Sequence, residues 1–240
     1  MTFKILTDST ADLPESWTQE HDVQVLGLTI QLDGQTYETV GPDKLTSEQL
    51  LAKMESGSKP TTSQINVGQF EDVFRQYAQE GTAVLYVAFA SALSGTYQSA
   101  VMAREMVLED YPEAIITILD TKAASMGEGL LVMKAVEARA AGQSLEQTAA
   151  LLQSLVPRVQ TYFLVDDLNH LMRGGRISKA AALMGSLVNI KPIIAVTADG
   201  SLDSVAKVRG KKKAQAEVVR MTLETISDPR VVVAYAGEKE

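Results

Sequence analysis

The sequence of 240 residues has no cysteine, only two histidines, and few aromatic residues, which make up 5% of the chain. Without cysteine, disulfides, thiol catalysis and thiolate-bound zinc or iron–sulfur centres are excluded. Two histidines, His21 and His170, do not suggest a histidine-rich metal site. A chain of this length buries about 70% of the surface of its unfolded form, so it needs no covalent or metal crosslink to fold. We therefore expect no metal ion and no cofactor.

The sequence also lacks a positive charge surplus and the segments that direct proteins into membranes. Asp and Glu number 30 against 22 Lys and Arg, which gives a formal net charge of −8 at pH 7. Such a surface repels phosphate backbones, so we expect no nucleic-acid partner. No basic stretch followed by a long apolar one occurs at the N-terminus, and the longest uncharged stretch, 81–103, is rich in Ser, Thr, Gly and Gln in its second half. We predict a cytoplasmic monomer without a membrane span.

Strand-like and helix-like patterns alternate along residues 1–157. The continuous apolar run 83–90 is typical of a strand covered on both faces in a parallel sheet. Residues 23–32 read as one strand, and Asp33-Gly34 with residues 35–40 predicts a hairpin after it. The same interpretation gives strands at 3–6 and 114–119, helices at 67–77, 97–108 and 123–141, and capping boxes at Thr46/Gln49 and Ser144/Gln147. This alternation predicts a doubly wound α/β domain over residues 1–157.

After Pro157 the pattern changes and predicts a second α/β domain, 158–240, with a mixed sheet. The predicted order is a strand, a short helix, the basic glycine loop Arg173-Gly174-Gly175-Arg176, a helix, a hairpin, a helix and a last strand. The first strand is predicted at 161–165, the short helix at 166–172, the basic loop at 173–176 and the next helix at 177–187. The hairpin follows at 189–196 with 202–208, the last helix at 211–226 and the last strand at 230–236.

Hydroxyl side chains cluster where the predicted strands end. The four groups are Asp8-Ser9-Thr10, Thr61-Thr62-Ser63, Ser91 with Ser94-Gly95-Thr96, and Asp120-Thr121. In a parallel sheet the strand carboxyl ends share one edge, where helices begin and present free N–H groups. Hydroxyls beside such N–H groups suit an anion such as a carboxylate or a phosphate. The alternative is that the hydroxyls only cap helices, and both interpretations stay open at this point.

The motifs of common nucleophilic and nucleotide-binding sites are missing. The residues around Ser94 do not form Gly-x-Ser-x-Gly, and neither a P-loop nor Gly-x-Gly-x-x-Gly occurs. We therefore predict no enzymatic activity and no catalytic residues. One alternative is a small-molecule hydrolase or phosphoryl transferase that uses the Ser94 loop. A second is a module without a lipid, whose basic loop 173–176 docks an acidic partner.

Taken in order, the motifs resemble the DegV family across essentially the whole chain. They are ILTDSTADLP at the start, TTSQ at 61–64, SALSGTYQSA at 91–100, LDTKAAS at 119–125, LNHLMRGGRISKAAALMG at 168–185 and NIKPII at 189–194. The resemblance implies two α/β domains with a long-chain fatty acid bound in a buried tunnel between them. It also implies a partner, a fatty-acid kinase that converts the bound acid to an acyl phosphate for phospholipid synthesis.

The resemblance also implies which residues hold the ligand and the partner. By this resemblance, Thr62 and Ser94 hold the carboxylate, with Ser63 and Gly95 close by. The hydroxyl pattern adds Ser9 and Thr96 as ligand-binding residues. Arg173 and Arg176 lie, by the same resemblance, where the kinase docks. Members of the family continue with a helix and a segment in which a histidine before a Gly-Pro-Gly loop helps to bind the carboxylate. Neither occurs in the 240 residues, so we expect this sequence to supply only part of that set of head-group contacts.

Overall fold

The computed structural model describes residues 3–165, 168–178, 189–228 and 230–235. The strands are β1 (Lys4–Asp8), β2 (Val23–Leu26), β3 (Thr29–Leu32), β4 (Gln35–Glu38), β5 (Thr61–Ser63), β6 (Val84–Ala88), β7 (Ile116–Asp120), β8 (Tyr162–Phe163), β9 (Ile190–Val196) and β10 (Leu202–Arg209). The helices are α1 (Glu15–Glu20), α2 (Ser47–Glu55), α3 (Val67–Gln79), α4 (Thr96–Asp110), α5 (Met126–Ala140), α6 (Leu145–Leu155), α7 (Asn169–Arg173) and α8 (Lys211–Thr225). Within these ranges, no helix has the length and apolar character needed to cross a bilayer.

A parallel sheet in the order β2-β1-β6-β7 forms the centre of the N-terminal part. Every residue of β6 is buried, as the apolar run predicts. Side chains alternate between two cores, because successive residues of a strand point to opposite faces. Ile5 and Leu85 pack on the face covered by α5 and α6, whereas Leu6 and Tyr86 pack on the face covered by α3 and α4. The predicted doubly wound arrangement is confirmed.

A separate antiparallel sheet, β4-β3-β5, lies outside the parallel sheet. The predicted hairpin is confirmed, since Asp33 and Gly34 both have positive φ, 52° and 78°, as a tight two-residue turn requires. The prediction of one strand over 23–32 is wrong, because the chain leaves the parallel sheet after β2. It does so at Gly27, where a Cβ would lie 2.7 Å from Val40 Cγ2. Only glycine allows this close approach.

The C-terminal part contains a sheet in the order β10-β9-β8 with α8 packed on it. Both strand pairs are antiparallel, where the sequence predicted a mixed sheet. The predicted last strand is also not formed over residues 230–235, which pair with no described strand. The mixed sheet and the last strand depend on the same contact. A parallel neighbour in this sheet would be a strand that follows the crossover helix α8. Residues 230–235 follow α8 but form no such pair with a described strand. From residue 179 onward, the predicted helix 177–187 lies outside the described residues, and residues 177–178 are not helical.

The remaining boundaries agree with the sequence to within a few residues where these are described, and residues 166–167 of the predicted helix 166–172 lie outside the described residues. The capping boxes at Thr46/Gln49 and Ser144/Gln147 are both formed. The helix predicted over 123–141 begins later, at Met126. The predicted domain boundary at Pro157 falls in the short helical turn between α6 and β8 and stays a prediction.

Candidate functional site

The carboxyl ends of β1, β6 and β7 lie side by side and carry polar side chains. Asp120 accepts hydrogen bonds from Ser91 Oγ (2.6 Å), Ser91 N (3.2 Å) and Lys122 N (3.0 Å). A single carboxylate therefore ties the loop after β6 to the loop after β7. The predicted clustering of hydroxyls at this edge is confirmed for the groups that follow β1, β6 and β7.

Ser94 and Thr96 form the beginning of α4 and are almost completely buried, at 9% and 0% exposure. Ser94 Oγ accepts a hydrogen bond from Thr96 N (3.2 Å) and lies 2.9 Å from Thr96 Oγ1. Ser94 therefore satisfies one free N–H at the helix start, as the capping interpretation requires. The two hydroxyls share one mutual hydrogen bond, so one of their two protons remains for another acceptor. Within the described residues, no histidine or carboxylate is hydrogen-bonded to Ser94.

Gln64 brings the end of β5 against the start of α4, a contact that sequence analysis missed. A Cβ on Gly95 would lie 2.2 Å from Gln64 Oε1, so a larger residue at this position would force the Gln64 side chain to move. Gln64 Nε2 in turn donates to Ser99 Oγ at 2.9 Å. Thr62 and Ser63 are exposed, and their hydroxyls form no hydrogen bond with other described residues. They lie on an antiparallel strand, so their predicted position at an end of the parallel sheet is wrong.

Ser9 is hydrogen-bonded into the neighbouring hairpin. Its Oγ accepts from Leu28 N at 3.1 Å and lies 2.9 Å from Thr39 Oγ1, which is itself 2.6 Å from Leu28 O. The Thr39 hydroxyl is the donor in both contacts, so Ser9 Oγ and Leu28 O share its single proton. These contacts hold the loop after β1 against β3. A direct contact between Ser9 and a ligand stays a prediction.

The basic glycine loop contacts the same edge through Arg176. Its Nε donates to Leu93 O at 3.0 Å, directly before Ser94. Arg173 is exposed, and its Nη2 lies 2.7 Å from His170 Nδ1. Of the two arginines predicted for partner docking, Arg176 thus also supports the Ser94 loop.

The turn between β9 and β10 packs on this edge as well. Gly200 has a φ of 91°, and a Cβ there would lie 3.2 Å from Lys122 Cα and 3.3 Å from Ala90 Cβ. The backbone of the C-terminal hairpin therefore comes directly against the loops after β6 and β7. Sequence analysis identified the hairpin but not its contact surface.

A buried acidic pair lies at the end of β1 and was also missed. Asp8 and Glu128 are both fully buried, and the Thr10 hydroxyl contacts both carboxyl groups. Burial raises the pKa of Asp8 and raises the pKa of Glu128 well above 4.5, the latter also because Asp8 lies beside it. The sequence does contain a signal, since Glu128 shares the apolar face of α5 with Leu131 and Val132.

Two surface depressions of the described residues lie away from this edge. One, of about 430 Å³, is lined by residues that include Tyr37 and Lys44. The other, of about 580 Å³, includes His21 and Arg139. Neither is lined by a predicted ligand-binding residue, so the fatty-acid tunnel stays a prediction.

These contacts define an α/β protein in which a parallel sheet, a small antiparallel sheet and a C-terminal hairpin unit converge on the first turn of α4. The sequence model of the DegV family, described as a family of uncharacterised proteins, matches residues 2–240, and the chain belongs to this family.

Relatives and solved structures agree with this assignment. A DegV domain-containing protein of Streptococcus pyogenes serotype M1 is 54% identical over 239 residues, which cover 100% of this chain and 84% of the relative. A stearic-acid-binding protein from Eubacterium ventriosum has a TM-score of 0.85 and 31% identity, covering 93% of this chain and 76% of that one. A fatty-acid-binding DegV family protein from Thermus thermophilus has a TM-score of 0.81 and 35% identity, covering 93% and 78%. The α/β fold of the described residues, with one parallel and two antiparallel sheets, is thus similar to that of known fatty-acid-binding proteins.

Proposed function

We propose that this protein binds a long-chain fatty acid, with the carboxylate at the first turn of α4, and presents it to a fatty-acid kinase. The observation that carries the proposal is the Ser94–Thr96 pair at the start of a 15-residue helix, in which one of the two hydroxyl protons has no acceptor among the described residues. The binding of stearic acid by the Eubacterium ventriosum protein of the same fold supports the choice of ligand.

The head-group donors are neutral, and this suits a ligand that must be released. A hydrogen bond from a hydroxyl to a carboxylate contributes about 1.5–3 kcal/mol. The partial positive charge at the helix start adds about 0.3–1 kcal/mol. Thr62 and Ser63, whose hydroxyls have no hydrogen-bond partner among the described residues, are further donors for the carboxylate in this proposal. Gln64 and Gly95 hold the segment that carries them against α4.

The hydrocarbon tail supplies most of the affinity in this proposal. Burying a tail of about sixteen carbons at roughly 0.8 kcal/mol per methylene gives on the order of 10 kcal/mol. Ordering the flexible chain offsets several kcal/mol of this gain. The hydroxyls then decide which end of the ligand faces the partner and select against ligands without an acid group.

The partner surface is the loop with Arg173 and Arg176. Arg173 is exposed, and Arg176 contacts the carbonyl that precedes Ser94, so a kinase bound there would stand next to the carboxylate. The kinase supplies the catalytic groups and the nucleotide, and the acyl phosphate enters phospholipid synthesis. The protein described here then acts as a monomeric carrier in the cytoplasm, without catalytic residues of its own.

Solvent extraction of the purified protein followed by mass spectrometry tests the ligand. We expect about one long-chain fatty acid per protein, and saturable binding of added oleate or palmitate to delipidated protein. Recovery of no stoichiometric fatty acid, together with no binding of either acid, contradicts the proposal. Acyl phosphate should form only when a fatty-acid kinase and ATP are both added, which separates the carrier role from an activity of the protein itself.

A further inference from the structure

The hydroxyl of Thr10 lies between two buried carboxyl groups. Its oxygen contacts Asp8 Oδ1 and is 2.9 Å from Glu128 Oε2. A hydroxyl has one proton, so Thr10 can donate to only one of these two carboxyl groups. The second contact is a hydrogen bond only if that carboxyl carries a proton and donates it to Thr10 Oγ1.

The remaining donors identify which carboxyl group is ionised. Asp8 also accepts from Thr10 N (3.1 Å), Phe89 N (3.1 Å) and Tyr86 Oη (2.7 Å), so both of its oxygens are well supplied with donors. Among the described residues, the only other donor near Glu128 besides Thr10 is Thr7 Oγ1 at 3.1 Å, and that hydroxyl is also 3.0 Å from Val87 O. An ionised carboxylate with so few donors is unfavourable in a buried position.

The groups that face Glu128 do not compensate a negative charge. Among the described residues they are Asp8 on β1, Asp12 in the segment after β1, and Tyr86 on β6, none of which is a cation. Two carboxylates that share one site do not ionise together readily. The donor count and the surroundings both assign the proton to Glu128.

We propose that Glu128 is a neutral acid in the folded protein at neutral pH and acts as a positioning residue for the head-group edge. The contacts run from Glu128 through Thr10 to Asp8, and from Asp8 to the backbone N–H of Phe89. Phe89 begins the loop that leads to Ser94. The protonation stands independently of the ligand, whereas the positioning role rests on the proposed function.

Infrared spectroscopy at pH 7 tests the protonation without any ligand. We expect the carbonyl band of a protonated carboxylic acid in the parent protein, displaced by carbon-13 labelling of glutamate but not of aspartate. The band should be absent in Glu128→Gln and present in Asp8→Asn. No such band in the parent protein, or a band displaced by aspartate labelling, overturns the proposal, and the labelling comparison decides even where a variant fails to fold.

Matched variants at the same position test the positioning role through oleate binding. Glu128→Gln keeps a donor toward Thr10 and an acceptor for Thr7, so we expect its affinity to stay within about twofold of the parent value. Glu128→Leu removes both contacts, and we expect an affinity at least about tenfold weaker in protein that is folded by circular dichroism. Equal affinities for a folded Leu variant and the parent refute the positioning role. If the parent protein binds no fatty acid, the proposed function fails, while the infrared result still decides the protonation.

Discussion

Glu128→Gln should change how the stability of the protein depends on pH. In the unfolded chain a glutamate ionises with a pKa of about 4.3, whereas burial raises the pKa of Glu128 well above 4.5 in the folded protein. Between these two pKa values the unfolded state has lost the proton and the folded state has kept it. The stabilising contribution is therefore complete below about pH 4.3 and is lost as the pH rises toward the folded-state pKa.

The size of the effect follows from the same linkage. The loss amounts to at most about 1.4 kcal/mol per pH unit, or nearly 3 kcal/mol over two units. Glutamine ionises in neither state, so the free energy of unfolding of the variant, relative to the parent, should rise with pH from about 4.3 upward. Asp8 is coupled to Glu128 through Thr10, so its contribution does not simply cancel, and the same comparison of Glu128→Gln with its parent in an Asp8→Asn background isolates the Glu128 contribution.

Urea denaturation at several pH values between 4 and 7 measures this difference, with the fluorescence of Trp17, the only tryptophan, as the probe. Exposed Glu105→Gln on α4 serves as the control for the removal of one glutamate charge. A difference that stays constant with pH, or that falls as the pH rises, would show that Glu128 is ionised in the folded protein and would refute the reasoning.

Three further predictions concern the edge where α4 begins. Ser94→Ala should weaken oleate binding by about 1.5–3 kcal/mol in a calorimetric titration and lower the stability by about 1 kcal/mol through the lost cap; unchanged affinity removes Ser94 from the site. Gly95→Ala should destabilise by about 0.5–1.5 kcal/mol, because its Cβ would lie 2.2 Å from Gln64 Oε1 and would displace the Gln64 amide from its hydrogen bond to Ser99. Gly68→Ala in α3, where the nearest atom is 3.4 Å away, should instead stabilise by about 0.5–1 kcal/mol. Equal thermal shifts for the two alanine variants would contradict the Gln64 contact. Arg173→Ala should lower acyl-phosphate formation by the kinase at unchanged oleate affinity. Arg176→Ala should lower both acyl-phosphate formation and oleate affinity, since of the two arginines only Arg176 contacts Leu93 O. The same change in both measurements for the two variants would contradict these separate roles.

Local sequence signals predicted the elements whose cause is local. The apolar run at 83–90 became the fully buried β6, because a strand covered on both faces needs no polar residue. The turn at Asp33-Gly34 was predictable because both residues tolerate positive φ. The capping box at Thr46 and Gln49 is likewise contained within four residues of sequence.

The elements that the sequence did not predict correctly depend on partners far along the chain. Residues 230–236 have the apolar, valine-rich composition of a strand, but residues 230–235 pair with no described strand, and Val233 is 77% exposed. Thr62 and Ser63 were placed at an end of the parallel sheet, although the hydrogen bonds of β5 go to β3 of another sheet. Strand composition indicates which residues can pair and leaves open which strand they pair with.

The candidate site shows the same division between local and distant causes. Hydroxyls at strand ends were visible in the sequence, because parallel topology alone brings the ends of β1, β6 and β7 together. The close approaches at Gly95 and Gly200 were not visible in the sequence, because each involves a residue far along the chain. Gly95 lies against Gln64, more than 30 positions away, and Gly200 lies against Lys122, more than 70 positions away. Glu128 was predictable from the sequence in part. Its place on the apolar face of α5 indicates a buried carboxyl group, but only the fold shows that Thr10 and Asp8 meet it, and their donors decide which acid keeps the proton.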